Sequence, residues 1–277
     1  MEKISGIFFK IIKYVFILTI VVISIVPIIW VVLSSFKTNI EILNSAFKLP
    51  ENFGFHNYVT AFKLSPIAKF YVNSLIVAVA GTGLNIIAIG MAAYVCARFE
   101  FKAKGLILSI YSISLLIPAA ALLFPLYLTI SKMGMINMLP GLILVYAGLG
   151  LPTTLFILRS YFLTIPKELE EAAYLDGAGF IRTFAQIILP MSRPGIGTAA
   201  VLQFMLCWNE FQFALVLTTG NSSRTLPLAL VYFTSLFSSD LGALFAATTV
   251  IIMPSILFYI LLQKQMVSGL TAGAVKG

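Results

Sequence analysis

The sequence predicts an all-α integral membrane protein with six transmembrane helices, on three observations. Of its 277 residues, 60% are hydrophobic and only 10% are charged, where soluble globular domains carry about a quarter. The mean hydropathy of +1.03 leaves no polar coat for a water-soluble particle. Five long runs contain no Asp, Glu, Lys or Arg: Tyr14 to Phe36, Phe70 to Ala97, Gly105 to Ser131, Met133 to Leu158 and Leu241 to Gln263. A sixth, Pro194 to Ser223, is broken only by Glu210. About 20 apolar residues cross roughly 30 Å of hydrocarbon, so each run suffices. The expected spans lie near 14–36, 70–96, 106–129, 140–160, 194–218 and 241–263 of a single domain over 1–277, with a loop at 164–192 and a tail at 264–277.

The first span follows Lys3, Lys10 and Lys13, in the manner of a signal peptide. Its apolar run is longer than the usual 7–15 residues of such a segment, and no A-x-A site ends it. It reads as an uncleaved helix with a cytoplasmic N-terminus. Six spans then place both termini and the loops 98–104 and 159–193 on one side, with twelve of the eighteen Lys and Arg residues. The positive-inside rule gives the same orientation. The net charge of +8 therefore reports topology and anionic headgroups, and no nucleic-acid partner is expected.

In the second span Ala78, Gly81, Gly83, Ala88, Gly90 and Ala92 allow close helix approach. Pro27, Pro118, Pro125 and Pro254 each remove a backbone hydrogen bond and are expected to kink their spans. Cys96 and Cys207 are far apart in apolar surroundings and read as packing residues. His56, the one histidine, reads as a surface residue, and no metal site is expected.

The loop from Ile165 to Pro190 is rich in helix formers. Pro166 suits a first helical position, and Glu168, Glu170 and Glu171 favour the positive end of the helix dipole. Gly177 is placed to end that helix in a left-handed conformation. A second short helix then runs from Gly179 until Pro190 stops it.

Within this loop Glu171-Ala172-Ala173, three residues, Gly177, nine residues and Ile187-x-Leu189-Pro190 resemble the EAA signature of permease subunits of binding-protein-dependent ABC importers. The resemblance implies a type I ABC importer permease fold. It also implies a coupling helix docked on a cytoplasmic ATPase through Glu168, Glu171, Ala172, Ala173, Asp176, Gly177, Ile187, Leu189 and Pro190. Trp208-Asn209-Glu210-Phe211, Arg224-Thr225-Leu226-Pro227, Asn73-Ser74-Leu75-Ile76-Val77 and the ending Gly269 to Gly277 resemble the maltose and multiple-sugar importers. Such a chain would reside in a prokaryotic plasma or inner membrane, paired with a different permease, an ATPase homodimer, an extracytoplasmic sugar-binding protein and membrane lipid. By the same resemblance Gly269, Leu270, Thr271 and Gly273 would reach the ATPase. ATP and Mg would belong to that ATPase, and this chain would bind no cofactor.

Glu210 lies deep in the fifth span, where an ionisable group needs a cavity or a partner. At helical spacing Gln203, Cys207 and Glu210 share a face, with Asn209 to one side. Gln203, Asn209 and Glu210 could line a sugar path by hydrogen-bonding hydroxyls; alternatively Glu210 is a structural carboxylate bonded to a neighbouring helix. No G-x-x-x-x-G-K-[ST], G-x-S-x-G or H-E-x-x-H occurs, so no catalytic residue is expected. Two other functions fit the spans: an ABC permease for a non-sugar solute, and a self-sufficient secondary transporter using Glu210.

Overall fold

The structure, a computed structural model, describes residues 2–45, 47–233 and 240–274, with side chains described for 9–45, 47–233, 240–261 and 263. Every regular element among the described residues is helical. The chain forms two compact units: Met1–Ile67 with Ala229–Met253, and Ala68–Leu228 with Pro254–Gly277.

In the first unit, α1 (Glu2–Ser34) is uncharged and apolar on all sides after Lys13, and its most apolar stretch has no buried residue. A helix of that kind is suited to hydrocarbon. Past its end, Asn57 Nδ2 donates to the carbonyls of Ser35 (2.9 Å) and Lys37 (2.8 Å), tying α3 (His56–Leu64) to the exit of α1. The short α2 (Asn39–Asn44) opens with a capping box: Thr38 N–H donates to Glu41 Oε2 at 2.6 Å, and Glu41 N–H donates to Thr38 Oγ1 at 3.3 Å. Trp30 meets Phe245 edge to face at 5.0 Å. His56 is exposed.

In the second unit, α4 (Ile67–Arg98) presents a buried stripe that includes Asn73, Val77, Ala78, Gly81, Asn85, Ile89 and Tyr94. α5 (Lys104–Ser114) turns through 101° into a short 3-10 segment (Ala119–Leu122) and α6 (Leu123–Lys132). α7 (Leu139–Leu149) and α8 (Leu151–Phe162) meet at 49° across Gly150. The loop helices are α9 (Glu168–Leu175), α10 (Phe180–Thr183), a π-turn (Phe184–Ile188) and α11 (Leu189–Met191). α12 (Arg193–Asn209) and α13 (Gln212–Leu217) follow; the 3-10 helix (Leu226–Phe233) and α14 (Leu241–Ala274) are divided between the units, Ala229–Met253 belonging to the first. A core of Ile89, Tyr94, Leu155, Leu158, Phe162 and Ile188 joins α4, α8 and the π-turn. Gly195 lets α12 approach α8, because a Cβ there would overlap the Tyr161 ring.

By length and composition, three helices can cross a membrane uninterrupted, and five spans result when each bent pair counts as one. Pro27 and Pro254 lie inside continuous helices. Pro118 caps the 3-10 segment at the 101° bend. Pro125 falls in the first turn of α6, where its missing N–H has no intrahelical acceptor to lose.

The break at Gly150 explains two buried amides. The carbonyls of Tyr146 and Ala147 lose their helical partners there, and Gln203 Nε2 (2.8 Å) and Asn85 Nδ2 (2.7 Å) donate to them instead. A Cβ at Gly150 would collide with the Gln203 amide, so a larger residue there displaces that side chain.

Candidate coupling loop and membrane cavity

α9 begins at Glu168 with Lys167 as its N-cap, so Pro166 lies before the helix and not at its first position. Glu168, Glu170 and Glu171 occupy the first turn. The helix closes as a Schellman motif: Gly177 has φ 81°, its N–H donates to the Tyr174 carbonyl at 3.1 Å, and the Ala178 N–H donates to that of Ala173 at 2.9 Å. Pro190 does not end the second segment. It cannot donate to Gln186, but the π-turn just before it opens the hydrogen-bond ladder and the chain stays helical to Met191.

The EAA residues divide between two faces. Ala173 is buried and Ile187 half-buried, while Glu168, Glu171, Ala172, Asp176, Gly177, Leu189 and Pro190 are exposed. The outer surface is apolar as well as charged, with Leu175 90% and Ile181 72% exposed. Three further residues anchor the loop from inside. Ile188 is fully buried, and Glu170 forms an ion pair with Arg98 at 2.6 Å. Arg98 also donates to the Ile165 carbonyl at 2.6 Å. Sequence reading places Glu170 only among dipole-favoured acids. Its partner is seventy-two positions away, and no local pattern links the two.

Each residue of Trp208-Asn209-Glu210-Phe211 has a separate task at the end of α12. Trp208 is buried between Tyr71, Phe204 and Phe258. Asn209 Oδ1 accepts from Ser255 Oγ at 3.1 Å. The backbone turns extended at Glu210 (ψ 129°), and Phe211 leads into α13. Glu210 Oε1 accepts the Phe213 N–H at 2.8 Å, and Oε2 accepts the Ala214 N–H at 3.1 Å and the Tyr146 hydroxyl at 2.6 Å.

This break corrects the expected Gln203–Glu210 stripe. Gln203 and Cys207 do share a face, with Nε2 3.4 Å from Sγ, but both are buried and the helix stops before Glu210 joins them. Asn209 is exposed elsewhere. Glu210 instead borders a cavity of about 510 Å³ with Gln212, walled by apolar residues such as Leu115, Leu122, Leu144 and Leu206.

At the opposite end of α4 from the loop, two motifs meet. Asn73 Nδ2 donates to the carbonyls of Ser222 (3.0 Å) and Arg224 (2.8 Å), and Ser74 Oγ accepts the Leu226 N–H at 2.7 Å. Asn137, in a left-handed conformation (φ 61°), accepts from Thr219 N, Gly220 N and Ser223 Oγ in the same region. No local pattern in the sequence gives Asn137 this role. The tail is not separate from the last span: α14 continues through Ala274, placing Gly269, Leu270, Thr271 and Gly273 on its final turns. Residues 275–277 lie outside the described residues.

Several apolar helices and an exposed helical loop between them fit the membrane component of a transport system. Residues 85–271 match the family described as the binding-protein-dependent transport system inner membrane component, and the chain belongs to that family. It is 38% identical over 257 residues to a diacetylchitobiose uptake system permease of Streptomyces coelicolor, covering 92% of this chain and 85% of that one. It is 34% identical to a trehalose transport system permease of Mycobacterium tuberculosis and 36% identical to a trehalose/maltose transport system permease of Thermococcus litoralis, each covering 92% of this chain and 93% of the relative. Its fold matches a chain from the crystal structure of a bacterial ABC transporter involved in import of the acidic polysaccharide alginate. That match has TM-score 0.82 and 22% identity, over 94% of this chain and 97% of the other. Membership in the family implies an ATPase and a binding protein as partners.

Proposed function

We propose that this chain is one of two unlike permease subunits enclosing the path of an ATP-driven importer of oligosaccharides. One observation carries the reading: relatives at 34–38% identity along nine-tenths of the chain are permeases named for uptake of diacetylchitobiose, trehalose and trehalose/maltose, all sugars.

In this reading the two bent pairs and the α12–α13 pair each count as one span, which with α1, α4 and α14 makes six. Both termini and the loop 164–192 face the cytoplasm, as the distribution of Lys and Arg favours. The outer face of the loop, with Glu171, Ala172, Leu175 and Ile181, docks in a cleft of an ATPase homodimer. That ATPase binds and hydrolyses ATP with Mg, and this chain catalyses nothing. The last turns of α14 reach the same ATPase. A sugar-loaded binding protein docks outside, ATPase closure opens the path outward, and hydrolysis resets it. Glu210 and Gln212 offer hydrogen-bonding groups to sugar hydroxyls at the cavity wall.

The test is to tag the N-terminus, solubilise native membranes mildly and identify the co-purifying chains by mass spectrometry. The expected result is an ATPase pair with one copy of a second permease. Recovery of this chain alone, still transporting in liposomes without ATP, overturns the proposal in favour of a secondary transporter.

A further inference from the structure

The attachment of α9 to the rest of its unit is narrow. Only two of its residues are buried, Glu170 and Ala173. Ala173 contributes a methyl group. Glu170 contributes a carboxylate 2.6 Å from Arg98 Nε, with the two side chains 9% and 4% exposed. The contact is a charge pair and not a hydrogen bond, since neither Nε nor Oε1 has a hydrogen-bond partner, but little solvent competes for either group. Arg98 also holds the Ile165 carbonyl, in the turn that leads into α9. One guanidinium thus fastens the end of α4 both to α9 and to the chain entering it. The surroundings are rigid: Tyr94, one turn before Arg98, packs on Phe162, Phe180 and Phe184.

α4 runs unbroken from Ile67 to Arg98, so residues 74 to 98 span about 36 Å at 1.5 Å per residue. Its far end is fastened just as firmly. Asn73 and Ser74 hold the backbone of Ser222, Arg224 and Leu226. A continuous helix pinned to a loop at each end transmits displacement along its axis, since shortening it would break its backbone hydrogen bonds.

We infer that α4 is the rod by which movement of α9 reaches the loop 218–228, with Arg98–Glu170 as the joint at one end and Asn73–Ser74 as the latch at the other. Arg98 and Glu170 are then positioning residues of the transport cycle. The inference rests on the proposed coupling role of the loop, and the experiment separates the two.

In the assembled complex with its ATPase, a spin label is attached at Ser222→Cys, beside the latch and exposed. Both native cysteines are buried and spared. The readout is the change in label mobility when the ATPase is trapped with ATP and vanadate, which needs no knowledge of the cargo. In parallel, Ala172→Cys is cross-linked to the ATPase. Failure of that cross-link in the otherwise unaltered complex refutes the coupling role itself. With the cross-link intact, the trapped complex is expected to show a mobility change that Arg98→Gln reduces at least fivefold, and that Arg98→Glu with Glu170→Arg restores. Absence of any change in the unaltered complex, or an undiminished change in Arg98→Gln, overturns the rod. A change that is lost but not restored by the reversed pair overturns the assignment to the ion pair. Where Arg98→Gln does not assemble, the isosteric Glu170→Gln decides by the same readings.

Discussion

The Tyr146 hydroxyl donates to Glu210 Oε2 at 2.6 Å, joining the last turn of α7 to the break between α12 and α13. With the Phe213 and Ala214 amides on the same carboxylate, Glu210 closes the open start of α13. Glu210→Gln keeps one acceptor but turns an N–H toward a donor. It is expected to destabilise by about 1–3 kcal/mol, the cost of leaving a part-buried partner unsatisfied. Glu210→Ala should cost more. The midpoint of heat-induced loss of the monodisperse detergent-solubilised protein measures both, and an unshifted midpoint for Glu210→Gln would contradict the capping role.

Gln203 and Gly150 make a second, coupled prediction. Gly150→Ala drives a methyl into the Gln203 amide, and Gln203→Ala abandons the Tyr146 carbonyl. Each change alone should cost about 1–3 kcal/mol. Together they should cost less than their sum, because the smaller side chain vacates the space the methyl needs. A double-mutant cycle on the same thermal midpoints reads the difference. Strict additivity would mean that the clash is relieved in some other way.

These two sites mark where the sequence was readable and where it was not. The apolar runs marked the three longest helices, α1, α4 and α14, because a membrane selects composition over about 20 residues. Gly177 was legible as a helix terminus because a left-handed backbone has a residue-type signature. Direction left only a partial mark: within the uncharged run from Gly105 to Ser131, Pro118 announces a kink but not a turn of 101°. The hydrogen bond of Gln203 was not legible because its acceptor exists only through the break at Gly150, on another helix. Glu210 left the face of Gln203 because α12 stops one residue before it. Arg98 and Glu170 each look like ordinary charges at a membrane boundary until the fold brings them together.

Glu41 gives a pH-dependent prediction outside the membrane. The Thr38 and Glu51 amides and the Thr38 hydroxyl donate to its carboxylate and hold its pKa below the ordinary 4.5. A depressed folded-state pKa means that the contribution to stability is complete above the unfolded value and is lost as pH falls through the folded one. Protection of the Glu51 amide against hydrogen exchange, corrected for intrinsic rate, should hold at neutral pH and decline below 4.5. In Glu41→Gln that pH dependence should vanish. A profile identical in both proteins would place the titration elsewhere.

Gly177 separates backbone strain from bulk. Its φ of 81° disfavours residues with a Cβ, yet nothing lies within 4 Å of where a Cβ would stand. The cost of substitution is therefore conformational, about 1–2 kcal/mol for most side chains and less for asparagine, which tolerates the left-handed region. The order of sugar uptake, normalised to inserted protein, should be Gly177→Asn above Gly177→Ala above Gly177→Val, although asparagine is larger than alanine. An order that follows side-chain volume would mean that the ATPase packs directly against this turn. Full uptake by Gly177→Val would mean that the geometry between α9 and α10 does not govern coupling.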